Sequence, residues 1–218
     1  MESNICLLGF TGSFLSLIFN TLRDLGNSKK LIILEYIESE DVTPFECGLP
    51  YERLWHDSYT IKEDDDLFFS MSKTVEKRTV FNFFTEKYNI SRERFINIIH
   101  PSVHIAYKHQ LGCGIYIEPG SIVSPYVQLG FGTTINRACS IGHHTFIEEF
   151  ATLSPGVHIG GHSRIGAGVR IGIGTTIFDH VSIGAGSIIG GGSVVNKDIP
   201  AGVVAFGNPC KVVKSING

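Results

Sequence analysis

From Ile99 to Val195 every sixth residue is Ile, Leu or Val, seventeen positions without a miss. Neither the 3.6-residue period of a helix nor the alternation of a simple strand produces that step. A six-residue period is the repeat of a parallel β-helix. Each hexapeptide reads as a short strand plus a corner, with the aliphatic side chain inward. The next residue is often Gly (Gly130, Gly142, Gly160, Gly166, Gly172, Gly184, Gly190), expected to tolerate unusual corner angles. Four residues after the aliphatic comes a small or β-branched residue, such as Ser121, Thr133, Thr145 or Thr175. Three hexapeptides should close a triangular coil of about 18 residues. About five coils should stack at a strand spacing of roughly 4.8 Å, with backbone polar groups paired between coils.

The remaining residues suggest a smaller α/β unit in front. Residues 4–9 read as a buried strand, and Gly9-Phe10-Thr11-Gly12 as a turn. A helix is expected over Ser13–Leu25 and a second buried strand over 31–35, a crossover that makes the two strands parallel. Residues 38–66 are acidic and irregular, with room for one short strand. Leu67–Ser70 suggests a third strand. Lys73–Tyr88 fits a helix with Val75, Thr79, Phe83 and Phe84 near one face. Phe95–Ile99 reads as a last strand feeding the repeat. The expected division is 1–98 for the α/β domain, 99–195 for the β-helix and 196–218 for a tail. The small domain and the tail would cap the ends of the coil stack, where strand edges would otherwise lie open.

Composition excludes several classes. The net charge is −3 with no basic face, which argues against a nucleic-acid partner. The five cysteines are scattered with no CxxC, so neither a disulfide framework nor a thiolate metal site is suggested. No stretch reaches transmembrane length and no signal peptide is evident, so no membrane insertion and a cytoplasmic location are expected.

Two places could carry chemistry. The Gly9-x-x-Gly12 turn joins a strand to a helix N-terminus, where backbone N–H groups suit a phosphate. Glu35 ends the next strand, where Rossmann-like folds bind a ribose. The fingerprint lacks its third glycine, so a plain tight turn is an equal alternative. Among nine histidines, His143 and His144 are adjacent and sit at a corner. Neutral imidazole suits a general base near pH 7. His144, His162 and His180 recur at the coil period and should stack in one column. Metal ions need convergent ligands, so the column is expected to be exposed corner residues and no metal is expected.

The hexapeptide ladder, the segment Ile135-Asn136-Arg137-Ala138-Cys139-Ser140-Ile141-Gly142-His143, the tail Gly207-Asn208-Pro209-Cys210-Lys211 and the turn Gly9–Ser13 resemble one family. The chain is similar over nearly its whole length to the sialic acid O-acetyltransferase / nucleotide-4-aminosugar N-acetyltransferase family, the NeuD–PglD type. The resemblance implies a Rossmann-like domain followed by a left-handed parallel β-helix, assembled as a homotrimer with active sites in the clefts between subunits. Acetyl-CoA would be the cosubstrate, and a nucleotide-linked amino sugar the acceptor, for surface glycan synthesis. His143 would be the general base, with Asn136 near the acceptor and His144 beside the base. Thr152, Gly161, Ile173, Gly191 and Lys211 would line the CoA path. Gly9, Thr11, Gly12, Ser13 and Glu35 would contact the nucleotide sugar. The chain departs from the family at His144, where an acid is usual, at Thr152, where many relatives have a His, and at Met71-Ser72, where Gly-Asn is usual. Glu118, Glu148 and Glu149 are candidates to replace the acid. A γ-class carbonic anhydrase-like metalloenzyme and a catalytically silent binding module are the alternatives.

Overall fold

A computed structural model describes residues 3–37 and 48–216, in two compact units, Met1–Pro101 and Ser102–Gly218. Part of the irregular segment expected over 38–66, residues 38–47, lies outside the described residues.

The first unit is a four-stranded parallel sheet in the order β3-β2-β1-β4, formed by β1 (Ile5–Leu8), β2 (Leu31–Glu35), β3 (Tyr51–Trp55) and β4 (Asp66–Phe69). β1 and β4 are apolar and almost wholly buried, as a sheet covered on both faces requires. The short strand allowed for in the irregular segment is β3, an edge strand with mostly exposed residues. Helix α1 (Gly12–Asp24) buries Phe14, Leu15, Ile18, Phe19 and Leu22 at helical spacing. Helix α2 (Thr74–Tyr88) buries a different stripe from the one expected: Thr74, Lys77, Val80, Phe81 and Phe84. Val75 is 75% exposed, because it lies opposite the Val80–Phe84 face. The expected strand over 95–99 shrinks to Ile98–Ile99. Phe95 makes only a bridge to Leu67, and its ring stacks on Phe69 at 4.6 Å.

Lys77 is the largest departure from pattern. It is fully buried, and desolvation lowers its pKa to about 7.

The second unit is a parallel β-helix with three faces. The first carries the strands starting at Gln110, Gln128, Phe146, Arg164 and Ser182. The second carries those from Tyr116 to Ile188, and the third those from His104 to Val194. Partners differ by 18 residues throughout, as in Leu129↔Ile147↔Ile165. The ladder residues from Ile117 to Val195 form the buried core. The small polar residues four places on are buried with them. Their hydroxyls bond backbone carbonyls, as in Thr145 to Gly160 O at 3.0 Å and Thr175 to Gly190 O at 3.1 Å. The core continues past Val195. Ile199 is buried and bridges Ile183, and the strand Val203–Phe206 pairs with Ile188–Ile189 before Lys211–Ser215 returns antiparallel.

The glycine after each ladder residue serves a different purpose from the one expected. These glycines lack positive φ; instead a Cβ would strike the next coil, as at Gly142 (2.5 Å from Gly161 N) and Gly166 (2.5 Å from Ala185 N). The left-handed conformation falls two residues later, at the fourth position of every hexapeptide from residue 108 to residue 192.

Two predictions follow from these observations. Gly166→Ala should cost about 3 kcal/mol by forcing coils apart, whereas Gly186→Ala, whose Cβ meets nothing within 4 Å, should cost only about 1–2 kcal/mol of left-handed strain. Equal losses in denaturant titrations would contradict the two roles. For Lys77 the folded pKa lies below the unfolded 10.5, so the unfolded state binds more protons between those values. Stability must therefore rise as pH goes from 7 to 10.5 and fall as pH drops. Lys77→Met should be the more stable at pH 7 by a few kcal/mol, on the order expected for removing a buried amine, and should lose that part of the pH dependence. Trp55, the single tryptophan, reports unfolding of this unit.

Candidate active site

The three corners of the β-helix differ at the left-handed position. Between the first and second faces it is held by Gly114, Gly132, Phe150, Gly168 and Gly186. Between the second and third faces it is held by Gly120, Ala138, Gly156, Gly174 and Gly192. Between the third and first faces it is held by Lys108, Tyr126, His144, His162 and His180, with no glycine among them. Each non-glycine residue in this conformation costs about 1–2 kcal/mol. Strain retained five times in a row on one corner marks it as a place where side chains are used.

Those side chains form a continuous stack, as the coil period predicts. Tyr126 and His144 stack at 4.6 Å, His144 and His162 at 4.8 Å, and His162 and His180 at 4.9 Å with parallel planes. The Lys108 ammonium lies over the Tyr126 ring at 5.7 Å. His162 is held below the ordinary imidazole value, first by partial desolvation and then by the imidazoles of His144, His180 and His143.

His143 stands one position earlier, exposed, on the same corner. Its ring is nearly perpendicular to those of His144 and His162 (89° and 87°), and its Nδ1 lies 3.1 Å from Nδ1 of His144. One of these nitrogens must carry the proton and the other must be bare. Gly161 lies directly over the imidazole; a Cβ there would approach Cε1 to 2.9 Å and Nε2 to 3.0 Å. Gly161 N donates to Asp179 Oδ1 at 2.5 Å. The structure thus gathers His143, His144 and Gly161, and adds His162 and Asp179.

It does not gather the other expected residues of the β-helix around them. Asn136, Ile173 and Gly191 lie on the corner between the second and third faces. There the Asn136 amide donates to Leu153 O at 2.5 Å, and Gly191 packs on Ile173. Thr152 lies within the second face, paired with Thr134 and Arg170. Lys211 begins the antiparallel strand that extends that face. Two of the carboxylates suggested as partners, Glu118 and Glu148, are engaged elsewhere. Buried Glu118 accepts from Arg137 N at 3.1 Å, and Glu148 accepts from Ala167 N at 2.9 Å. Desolvation holds Glu118 above the usual carboxylate range. His144 is therefore the hydrogen-bonding partner that the structure gives His143.

In the first unit, Gly9 has φ +86, and its backbone N–H donates to Leu34 O at 2.8 Å. Thr11 is the N-cap of α1, with its carbonyl accepting from Phe14 and Leu15; Gly12 and Ser13 form the first turn. The crevice between β1 and β4, where the strand order reverses and ligands commonly bind, is closed over Gly9 by Met71. A Cβ on Gly9 would overlap the Met71 methyl. Glu35 accepts from both Nε and Nη2 of Arg53, and the Arg53 guanidinium lies 3.7 Å over the Phe10 ring. Sequence reasoning missed Arg53 and Phe10. Only the register Glu35↔Trp55 of β2 and β3, which sets Arg53 two residues away on the same face, could have revealed the pair. Among the described residues no helix is long and apolar enough to cross a membrane.

Residues 138–172 match the bacterial transferase hexapeptide family (six repeats). No curated relative matches the chain by sequence. Solved structures match over almost the whole length. A histidine-to-asparagine variant of perosamine N-acetyltransferase from Caulobacter crescentus, in complex with CoA and GDP-perosamine, is 21% identical over 99% of both chains, with TM-score 0.81. The acetyltransferase domain of PglB from Neisseria gonorrhoeae, in complex with acetyl coenzyme A, is 22% identical over 97% of this chain and 100% of that one, with TM-score 0.83. WeeI from Acinetobacter baumannii is 20% identical over 97% and 100%, with TM-score 0.75. The fold is that of the left-handed β-helix acetyltransferases. The expected fold class, an α/β unit followed by a left-handed β-helix, holds along the chain.

The shared proton can be tested directly. In long-range 1H–15N spectra of the histidine side chains, one ring of the His143–His144 pair should be locked in the Nδ1–H form. His144→Ala should release His143 to a mixture of tautomers. An unchanged His143 pattern in that variant would show that the contact does not orient the ring.

Proposed function

We propose that the protein transfers an acetyl group from acetyl-CoA to an amine, or a hydroxyl, of a nucleotide-linked sugar. It acts as a cytoplasmic homotrimer in surface glycan synthesis. The carrying observation is the exposed imidazole pair of His143 and His144 on the strained corner. That corner belongs to a fold shared end to end with proteins solved with CoA and GDP-perosamine.

If His143 donates its Nδ1–H to His144, its Nε2 carries the lone pair that can act as a base. The sugar nitrogen attacks the thioester carbonyl while Nε2 takes its proton. The C–S bond of the tetrahedral intermediate then breaks, and the proton passes to the departing CoA thiolate. Holding both substrates side by side supplies much of the rate, so no acyl-enzyme is needed. Gly161 has to be glycine to leave room for the imidazole.

The division of the site between corners supports a trimer. His143 and Gly161 lie on one corner of the triangular coil, and Asn136, Ile173 and Gly191 on another. A complete site therefore takes one corner from each of two neighbouring chains, and a threefold arrangement makes three such sites. Thr152 and Lys211 would contribute from the second face.

The nucleotide end of the acceptor fits the C-terminal edge of the β1–β4 sheet. The N-terminus of α1 at Thr11, Gly12 and Ser13 would take a phosphate. Glu35 comes as an ion pair with Arg53, so a ribose hydroxyl would meet a carboxylate already oriented by a guanidinium. Met71 closes the crevice over Gly9, so the phosphate would sit outside it, at the helix N-terminus.

With acetyl-CoA and a panel of UDP-, GDP- and dTDP-linked amino sugars, CoA release should accompany one acceptor. His143→Ala should lower kcat by about 10²–10⁴; wild-type turnover by that variant would remove the base assignment. Ile173→Glu should weaken acetyl-CoA binding. Co-expressed His143→Ala and Ile173→Glu chains should recover activity that neither has alone, since a mixed trimer contains one site with both native corners. Failure to recover, with both variants trimeric, would place the site within one chain.

A further inference from the structure

We propose that His143, His144 and His162 form a binding site for a divalent transition-metal ion, zinc being the probe of choice. Ion binding there would switch the acetyl-transfer site off. The regulatory half of this inference rests on the function proposed above; the binding half does not.

A column of stacked imidazoles alone binds metal poorly, because parallel rings direct their lone pairs side by side. His143 changes this. It meets His144 and His162 edge-on at 89° and 87°, so its lone pairs are not held side by side with theirs. One nitrogen from each ring lies within 4.8 Å of the others. A tetrahedral zinc with Zn–N bonds of about 2.0–2.1 Å needs its nitrogens roughly 3.4 Å apart. The 3.1 Å between the Nδ1 atoms of His143 and His144 is already close to that value. All three residues are exposed, so small ring rotations can close the remaining spread without disturbing the core. Three histidines leave the fourth position of a tetrahedral ion to water.

The backbone supports the same assignment. His144 and His162 occupy left-handed positions (φ 58° and 55°) that the other two corners mostly give to glycine. That conformation projects both side chains from the corner at the coil spacing, beside His143. Glycine would remove the strain and the cluster together. His180 continues the stack but lies outside the cluster of three, which makes it the internal control.

An ion bound at Nδ1 of His143 leaves the ring's proton on Nε2, so the lone pair that the proposed transfer uses there is lost. A bound ion should therefore abolish transfer, and a chelator should restore it.

The test is calorimetric titration of the full-length protein with zinc chloride, beside acetyl-transfer rates with and without zinc. One ion should bind per chain. Loss of one of three ligands in His162→Ala should weaken binding at least about tenfold, while His180→Ala stays within about twofold of wild type. Zinc should inhibit the wild type and His180→Ala, with EDTA reversing the effect. His162→Ala should resist zinc, each rate being compared with the same variant's metal-free rate. Absence of binding to the wild type, or equal binding by His162→Ala, would overturn the metal site. Binding that depends on His162 in a protein that acetylates no acceptor would uphold the metal site and remove the acetyltransferase reading instead.

Discussion

The structure of the second unit depends on how closely one coil can lie on the next. Interstrand hydrogen bonds of 2.8–3.0 Å run from coil to coil along all three faces. At the corners the backbones approach so nearly that a single Cβ would overlap them, as at Gly172, where it would lie 2.4 Å from Gly191 N. This contact turns a linear repeat into columns: whatever stands at one corner position stands directly above its equivalent 18 residues away. His143, Gly161 and Asp179 form one such column, and the Tyr126–His144–His162–His180 stack is the next. Neither could exist if the glycines between coils carried side chains.

The same geometry separates positions that sequence places side by side. Asn136 and His143 are seven residues apart, yet they leave successive corners of one coil. A site that needs both must draw on more than one prism edge, which is why the proposed function calls for edges of neighbouring chains to meet. The strained corner points the same way. Two corners relax their left-handed positions with glycine at most levels, and the third accepts a Lys, a Tyr and three His instead. A fold under no demand at that edge would gain stability by replacing each of them with glycine.

The six-residue period made the β-helix, its inward aliphatics and the histidine column legible in advance, because all three follow from register alone. The position of the left-handed residue did not follow, since Gly serves both close approach and positive φ, and composition cannot tell the two apart. Gly142 answers the first need and Gly156 the second. The convergence of His143 on His162 depends on ring orientation across coils, which spacing does not encode. In the first unit β1, β2 and β4 were readable from their apolar runs, while β3, mostly exposed, was only allowed for. The Glu35–Arg53 pair was not readable, because it depends on which strand lies beside β2. The buried face of α2 was misjudged because Lys77, a residue that normally avoids the interior, occupies it, while Val75 faces solvent.

The pairing of His143 with His144 alters how a base on this corner can work. A carboxylate accepts a hydrogen bond in any state of the ring beside it. An imidazole accepts only while its facing nitrogen is bare, so the two rings must hold complementary tautomers. If His143 donates from Nδ1, His144 must carry its own proton on Nε2. His162, stacked against His144, is itself held toward the neutral form, first by desolvation and then by the imidazoles around it. In the proposed reaction, a His144 with bare Nδ1 would accept from His143 and so leave Nε2 of His143 to take the proton of the incoming nucleophile.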